Sequence, residues 1–190
     1  VATHHAGIVV IVSEDERHTL RVAKVVDLAP PIRLEQVRDE VISLGEHYRT
    51  RFVAMDPWQG MRIAEELQAA GFLVECEHQT GTVLTKQAAA FLEVFRDDRI
   101  ELYRGSDPAA EMLLQDIREA RIVERPYGHK VELPETENGH GDRLAALLQV
   151  LPHALEGLGR PPLDQMEPTD RDWARAAAVE RLFSRAAGTV

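Results

Sequence analysis

Two aspartates occupy positions from which a carboxylate can hold a metal ion. Asp56 follows the apolar run "RFVAM", and Pro57 comes directly after it, so this carboxylate stands where a predicted buried strand stops. Asp142 begins a helical pattern after the glycine-rich stretch "NGHG". Mg²⁺ prefers hard oxygen ligands and keeps several waters, so a few carboxylates suffice. Two such ions about 4 Å apart can activate a water and stabilise the leaving oxygen in phosphodiester cleavage.

Each aspartate also has an ordinary structural interpretation. Asp before Pro at the end of a strand is common turn chemistry. Asp at the start of a helix is an ordinary N-terminal cap. A metal site therefore requires that Asp56 and Asp142 meet in space.

Other side chains are weaker candidates. His5, with its neighbour His4, lies beside the first predicted strand, and His140 lies two residues before Asp142. His140 could touch substrate or a metal-bound water, although loop histidines are more often solvated surface. Trp58 could stack on a nucleic-acid base, but the start of a helix favours packing into the core.

Composition indicates one globular domain with a sizeable core. The chain has 190 residues, 44% of them hydrophobic, and a single cysteine, which excludes a disulfide framework and fits a reducing cytosol. There is no bilayer-length apolar run and no secretory signal, and a first residue of Val1 predicts a piece of a longer chain. The net charge of −10 argues against phosphate contacts, unless the carboxylates act through bound cations.

The elements that must position the aspartates alternate after an opening hairpin. Strands are predicted at 6–12 and 19–26, and then strands at 51–55, 72–76 and 100–103 alternate with helices at 33–48, 60–70, 84–98 and 107–120. A second hairpin is joined by "YG", and a last helix begins at Asp142. This order predicts an α/β fold with a mixed sheet flanked by helices. Ligands gather at the carboxyl ends of parallel strands, where Asp56 is placed.

The end of the chain has a different composition. "GLGRPPLDQMEPTD" is rich in Pro and Gly and predicts a linker, and the residues after it can form an amphipathic helix. We therefore expect a domain over 1–157 and a linker with a tail helix over 158–190.

Three segments in order resemble a known family. "FVAMDPWQGMRIAEELQAAGFLVE", "QTGTVLTKQAAAFLEVFRDDRIELY" and "ARIVERPYGHKVELPETENGHGDRLAALLQVLPHAL" are similar to the nuclease domain of the large terminase subunit of tailed bacteriophages. The resemblance covers about residues 1–157. It implies an RNase H-like fold and Mg²⁺- or Mn²⁺-dependent endonuclease activity that cuts concatemeric viral double-stranded DNA for packaging.

The resemblance also implies roles for single residues. Asp56 matches the family's middle carboxylate and Asp142 its last, so both are expected to bind the two metal ions. The family's first carboxylate lies on an opening strand, of which "VATHH" looks like the exit, so the expected Asp falls at or just before Val1. Separately from the resemblance, Arg143, Lys86 and Arg62 are candidate phosphate contacts, and the ordinary alternative for each is a charge that keeps a helix face soluble.

The resemblance further implies partners and a location. In the family an ATPase motor domain lies upstream of the nuclease, so one is expected upstream of this chain, which itself contains no phosphate-binding P-loop motif. The small terminase subunit and the portal are expected partners, and the bacterial host cytoplasm is the expected compartment. Two alternatives stay open: another RNase H-like enzyme such as a transposase or resolvase, and a catalytically impaired module that docks the portal or the small subunit.

Overall fold

The computed structural model describes residues 6–14, 18–103, 107–133 and 141–158. Strands and helices alternate after an opening hairpin. They are β1 (Ala6–Glu14), β2 (Thr19–Leu28), α1 (Leu34–His47), β3 (Phe52–Met55), α2 (Pro57–Ala69), β4 (Leu73–Cys76), α3 (Gly81–Arg96), β5 (Ile100–Leu102), α4 (Pro108–Glu119), β6 (Arg121–Arg125), β7 (Gly128–Glu132) and α5 (Asp142–Gly157).

The described strands form two main sheets and a hairpin. β1 pairs antiparallel with β2, and β2 pairs parallel with β5, so this sheet has the order β1-β2-β5. β3 and β4 form a parallel pair, and β6 and β7 form an antiparallel hairpin. The predicted α/β fold with a mixed sheet and flanking helices is confirmed. Within the described residues, however, β1 and β3 belong to separate sheets, whereas a single sheet was predicted.

Two apolar cores lie on these sheets. The larger core contains Leu20, Val22, Val94, Leu144 and Leu147, all at most 2% exposed, and joins β2, α3 and α5. The smaller core lies between α2 and the β3–β4 pair. Helix α5 packs on β1, β2 and β3, so this one helix touches both sheets.

Local sequence explains where the helices beside the predicted site begin. Helix α2 starts at Pro57, directly after Asp56, rather than at residue 60, because proline suits the first helical turn. Helix α3 starts at Gly81 rather than at 84, because Thr80 caps it by accepting a hydrogen bond from the Val83 amide. Both predicted helices therefore exist, but each begins three residues earlier than expected.

Some predictions lie outside the described residues. These are the exit of an opening strand at 1–5, which includes His4 and His5, the loop with His140, and the linker and tail helix over 159–190. Among the described helices, none has the length and apolar character that crossing a membrane requires.

Candidate functional site

Asp56 stands at the carboxyl end of β3, as predicted, and its side chain is exposed. The Glu77 amide donates a hydrogen bond of 3.2 Å to the Met55 carbonyl oxygen, which extends the parallel register by one residue beyond Met55 and Cys76. In that register Asp56 and Glu77 are neighbours on adjacent strands, about 5 Å apart at the backbone. An acidic pair therefore marks this end of the β3–β4 sheet.

A three-residue group lies beside Asp56, between β4 and α5. Ligand atoms of Glu75, Glu77 and His153 all lie within 4.8 Å of one another. The His153 Nδ1 is 3.5 Å from a Glu75 carboxylate oxygen, and its Nε2 is 3.7 Å from one of Glu77. We call these three residues the β4–α5 cluster. Two carboxylates and an imidazole are a donor set that can hold a divalent cation.

Strand alternation explains how the cluster assembles. Glu75 and Glu77 are two residues apart, so they lie on the same face of the β3–β4 pair. The Phe52 ring packs against His153 with centroids 5.0 Å apart, which shows that α5 covers this face. The other face carries Val53 and Val74 and packs on the smaller core.

Cys76 lies close to the negatively charged side chains at this end of the sheet. Its thiol pKa is raised, first by burial and then by the charges of Asp56 and Glu75. Since a raised pKa keeps the thiol protonated at neutral pH, Cys76 is a poor nucleophile.

Asp142 is the first residue of α5 and is partly buried beside β1. Gly7 of β1 allows the close approach, because a Cβ atom there would lie 2.5 Å from the Asp142 carbonyl oxygen. His153 comes eleven residues later in α5, about 16 Å along the helix axis. Asp142 and the β4–α5 cluster therefore cannot share one ion. That the side chains of Asp56 and Asp142 lie close enough to share metal ions stays a prediction.

Arg143 is a buried structural residue, which corrects its interpretation as a phosphate contact. It is 2% exposed. Its guanidinium donates two hydrogen bonds of 3.0 and 3.2 Å to Asp116 and one of 2.9 Å to Asp27. Burial opposes the charged form, but the two carboxylates outweigh it and raise the pKa of Arg143. Both ends of the guanidinium are thus occupied by carboxylates of α4 and β2.

The other two basic candidates are accessible but paired. Lys86 forms an ion pair of 2.7 Å with Glu156. Arg62 is 71% exposed and forms an ion pair of 3.2 Å with Glu66, four residues further along α2. Exposed pairs of this kind are weak, so both cations can still exchange partners with a phosphate.

No member of the β4–α5 cluster is among the site residues predicted from the sequence. The detectable signal was the alternation "ECE" at the end of a predicted strand, which sets two glutamates on one face. His153 lies far away in the chain, and only the packing of α5 on the β3–β4 sheet brings it to them.

Comparison with known proteins identifies the fold. No protein-family model and no curated protein sequence matches the chain. The structure of the large terminase nuclease from thermophilic phage G20c matches with a TM-score of 0.58 and 16% identity, over 88% of this chain and 78% of that one. The same nuclease with bound magnesium matches with a TM-score of 0.53 and 17% identity, over 78% and 81%. The large terminase nuclease domain of Thermus phage P74-26 matches with a TM-score of 0.51 and 15% identity, over 79% and 82%.

These likenesses confirm the fold implied by the sequence resemblance. Most of this chain superimposes on large terminase nuclease domains, so it has their RNase H-like architecture. At 15–17% identity the likeness is one of fold. The residues that do chemistry must therefore be argued from this chain itself.

Proposed function

We propose that this chain is the metal-dependent endonuclease domain of a phage large terminase subunit, and that it cleaves concatemeric viral double-stranded DNA during packaging. The observation that carries the proposal is the fold, which matches a terminase nuclease solved with magnesium. The position of Asp56 supports it, because an exposed carboxylate at the end of a parallel strand is where such folds collect ligands.

The donor chemistry of the proposed site suits Mg²⁺ or Mn²⁺. Asp56 and Asp142 offer hard carboxylate oxygens, and we assign both as ligands of a two-metal site. The metal ions would supply activation of a water and stabilisation of the leaving oxygen. The chain fixes the ligands through rigid elements. Asp56 lies between β3 and α2, and Asp142 is held on α5, whose first turn is anchored by buried Arg143.

We propose that the first catalytic carboxylate belongs to an opening strand and falls at or just before Val1. Within the described residues, β1 pairs only with β2 and β3 only with β4, so each strand has one open edge. Helix α5 packs on both β1 and β3. A strand placed between those edges would join the two sheets, and its end would bring a third carboxylate toward Asp56.

The partners and the compartment follow from the proposed role. The substrate is double-stranded DNA, the motor is an ATPase domain upstream in the same protein, and the portal and small terminase subunit are the docking partners. The site of action is the host cytoplasm. Lys86 and Arg62 are the accessible cations that we assign to phosphate contacts.

Plasmid nicking in Mn²⁺ tests the assigned ligands. We expect Asp56→Asn and Asp142→Asn each to lower the nicking rate by about 100-fold or more, because each removes a charge that holds the metal ions. The matched control is Asp97→Asn, since Asp97 is paired with the exposed Arg96 at the end of α3.

The control should cut at the wild-type rate. Equal cutting by the wild type and both site variants would refute the assigned roles of Asp56 and Asp142. If the wild type binds Mn²⁺ but cuts no DNA even when residues upstream of Val1 are included, the docking-module alternative replaces the nuclease.

A further inference from the structure

The side chains of the β4–α5 cluster are largely buried, whereas acidic groups at a protein surface are exposed. The side chains of His153, Glu77 and Glu75 are 7%, 8% and 16% exposed. Two carboxylates held this close in a buried place repel each other, and a cation between them removes that cost. The cluster is therefore a place where the fold itself favours a positive charge.

The geometry of His153 points toward a ligand. Its Nε2 is buried and makes no hydrogen bond in the structure. At 3.7 Å the separation from the Glu77 oxygen is too long for a hydrogen bond. Two ligands at zinc-like bond lengths in tetrahedral geometry lie about 3.4 Å apart, so the spacing between Nε2 and the Glu77 oxygen is close to that of two atoms that share an ion.

We propose that Glu75, Glu77 and His153 bind one divalent transition-metal ion of the Zn²⁺ type, which ties α5 to β4. The imidazole nitrogen decides the metal class, because imidazole suits Zn²⁺ and its neighbours, whereas Mg²⁺ prefers oxygen ligands alone. Burial leaves little room for the several waters that Mg²⁺ retains. The role that we propose for the ion is to hold α5 against β4, and this role does not depend on the proposed nuclease function.

The competing arrangement is a protonated imidazole held between the two carboxylates without any metal. It uses the same three side chains and the same distances. The two arrangements differ in their response to added metal, since an imidazolium has no lone pair for an ion.

Metal binding to the full chain distinguishes them. After chelator treatment and its removal, Zn²⁺ is titrated by calorimetry into the wild type, His153→Gln and Glu77→Gln. With Mg²⁺ present to occupy the site assigned to Asp56 and Asp142, we expect one Zn²⁺ per wild-type chain and a loss of affinity of about tenfold or more in each variant. The control is His129→Gln, because His129 is exposed on β7. It should bind like the wild type.

Two further readouts separate the site from general destabilisation. Zn²⁺ should raise the thermal unfolding midpoint of the wild type and of His129→Gln, but not that of His153→Gln. Mg²⁺ at the same concentration should leave the Zn²⁺ affinity unchanged. If His153→Gln does not fold, Glu75→Gln takes its place in the comparison.

Either of two results would overturn the proposal: a wild type that binds no Zn²⁺, or cluster variants that bind it as tightly as the wild type. The first result would show that the cluster is stable without a metal ion, and the second would place the Zn²⁺ outside the cluster. No DNA is present, so failure here leaves the nuclease proposal standing, and a failed nicking assay leaves this one standing.

Discussion

Arg143 links the start of α5 to α4 and β2. Its guanidinium lies between Asp116, whose side chain is 4% exposed, and Asp27, whose side chain is 13% exposed. Replacing Arg143 with Met keeps much of the apolar stem but removes the cation that faces both carboxylates. We expect the free energy of unfolding to fall by about 3–5 kcal/mol, because breaking a buried pair leaves uncompensated charge. Urea unfolding followed by circular dichroism measures the change.

A surface pair provides the control for Arg143. Arg96→Met removes the partner of Asp97, but Arg96 is 74% exposed and such pairs contribute little. Adding Asp116→Asn to Arg143→Met should recover part of the lost stability. A single variant as stable as the wild type would show that the network contributes nothing to the fold.

Residue identity alone could not separate residues of a functional site from charged residues that stabilise the fold. Asp56 and Asp142 were found from their places at a strand end and a helix start, and both do occupy those places. From its place beside Asp142, the sequence predicts Arg143 as a phosphate contact. Its burial depends on Asp27 and Asp116, which are 116 and 27 residues away in sequence. A basic residue near a candidate site has the same appearance in a sequence whether it faces DNA or the core.

Gly7 determines how closely β1 and α5 can approach. A Cβ atom at Gly7 would lie 2.5 Å from the Asp142 carbonyl oxygen and 2.7 Å from the Arg143 amide nitrogen, and both are backbone atoms that cannot rotate away. We expect Gly7→Ala to push the first turn of α5 outward and to cost about 1–3 kcal/mol of stability. Thermal unfolding measures the loss. If the proposed function holds, the nicking rate in Mn²⁺ falls as well, because Asp142 moves with that turn.

Gly157→Ala is the control within the same helix, since a Cβ atom there meets nothing within 4 Å. It should keep wild-type stability and activity. A Gly7→Ala protein that unfolds at the wild-type temperature would show that the contact between β1 and α5 yields without cost.

The order of the elements was predictable because each has a strong local signal. The continuous β-branched run at 6–12 and the alternation at 19–26 define the first two strands, which the structure extends to Glu14 and Leu28. The sequence predicts that Pro57 ends β3, and in the structure Pro57 is also the first residue of α2. Element boundaries were less accurate, because proline and threonine act there through capping geometry that apolar periodicity does not reveal.

At the scale of the whole molecule, local sequence patterns did not predict which strands pair with each other. The sequence predicted one mixed sheet, whereas the described residues show the sheets β1-β2-β5 and β3-β4 with α5 across both. Pairing depends on which strand edges meet after packing, and no local sequence signal records that outcome. The zinc cluster we propose was hidden for the same reason.

The open edges of β1 and β3 lead to a prediction about hydrogen exchange. If a preceding strand joins the two sheets as we propose, a chain extended upstream of Val1 will protect backbone amides that point away from β2 and β4. We expect those amides of β1 and β3 to exchange at least about tenfold more slowly in the extended chain, and its thermal unfolding midpoint to rise, because paired edges open only with the sheet. Exchange rates measured by NMR for each amide make the comparison.

Amides between β6 and β7 already pair within their hairpin and serve as the control. Unchanged exchange at both edges would contradict the proposed strand and its catalytic carboxylate, and would leave α5 as the connection between the two sheets.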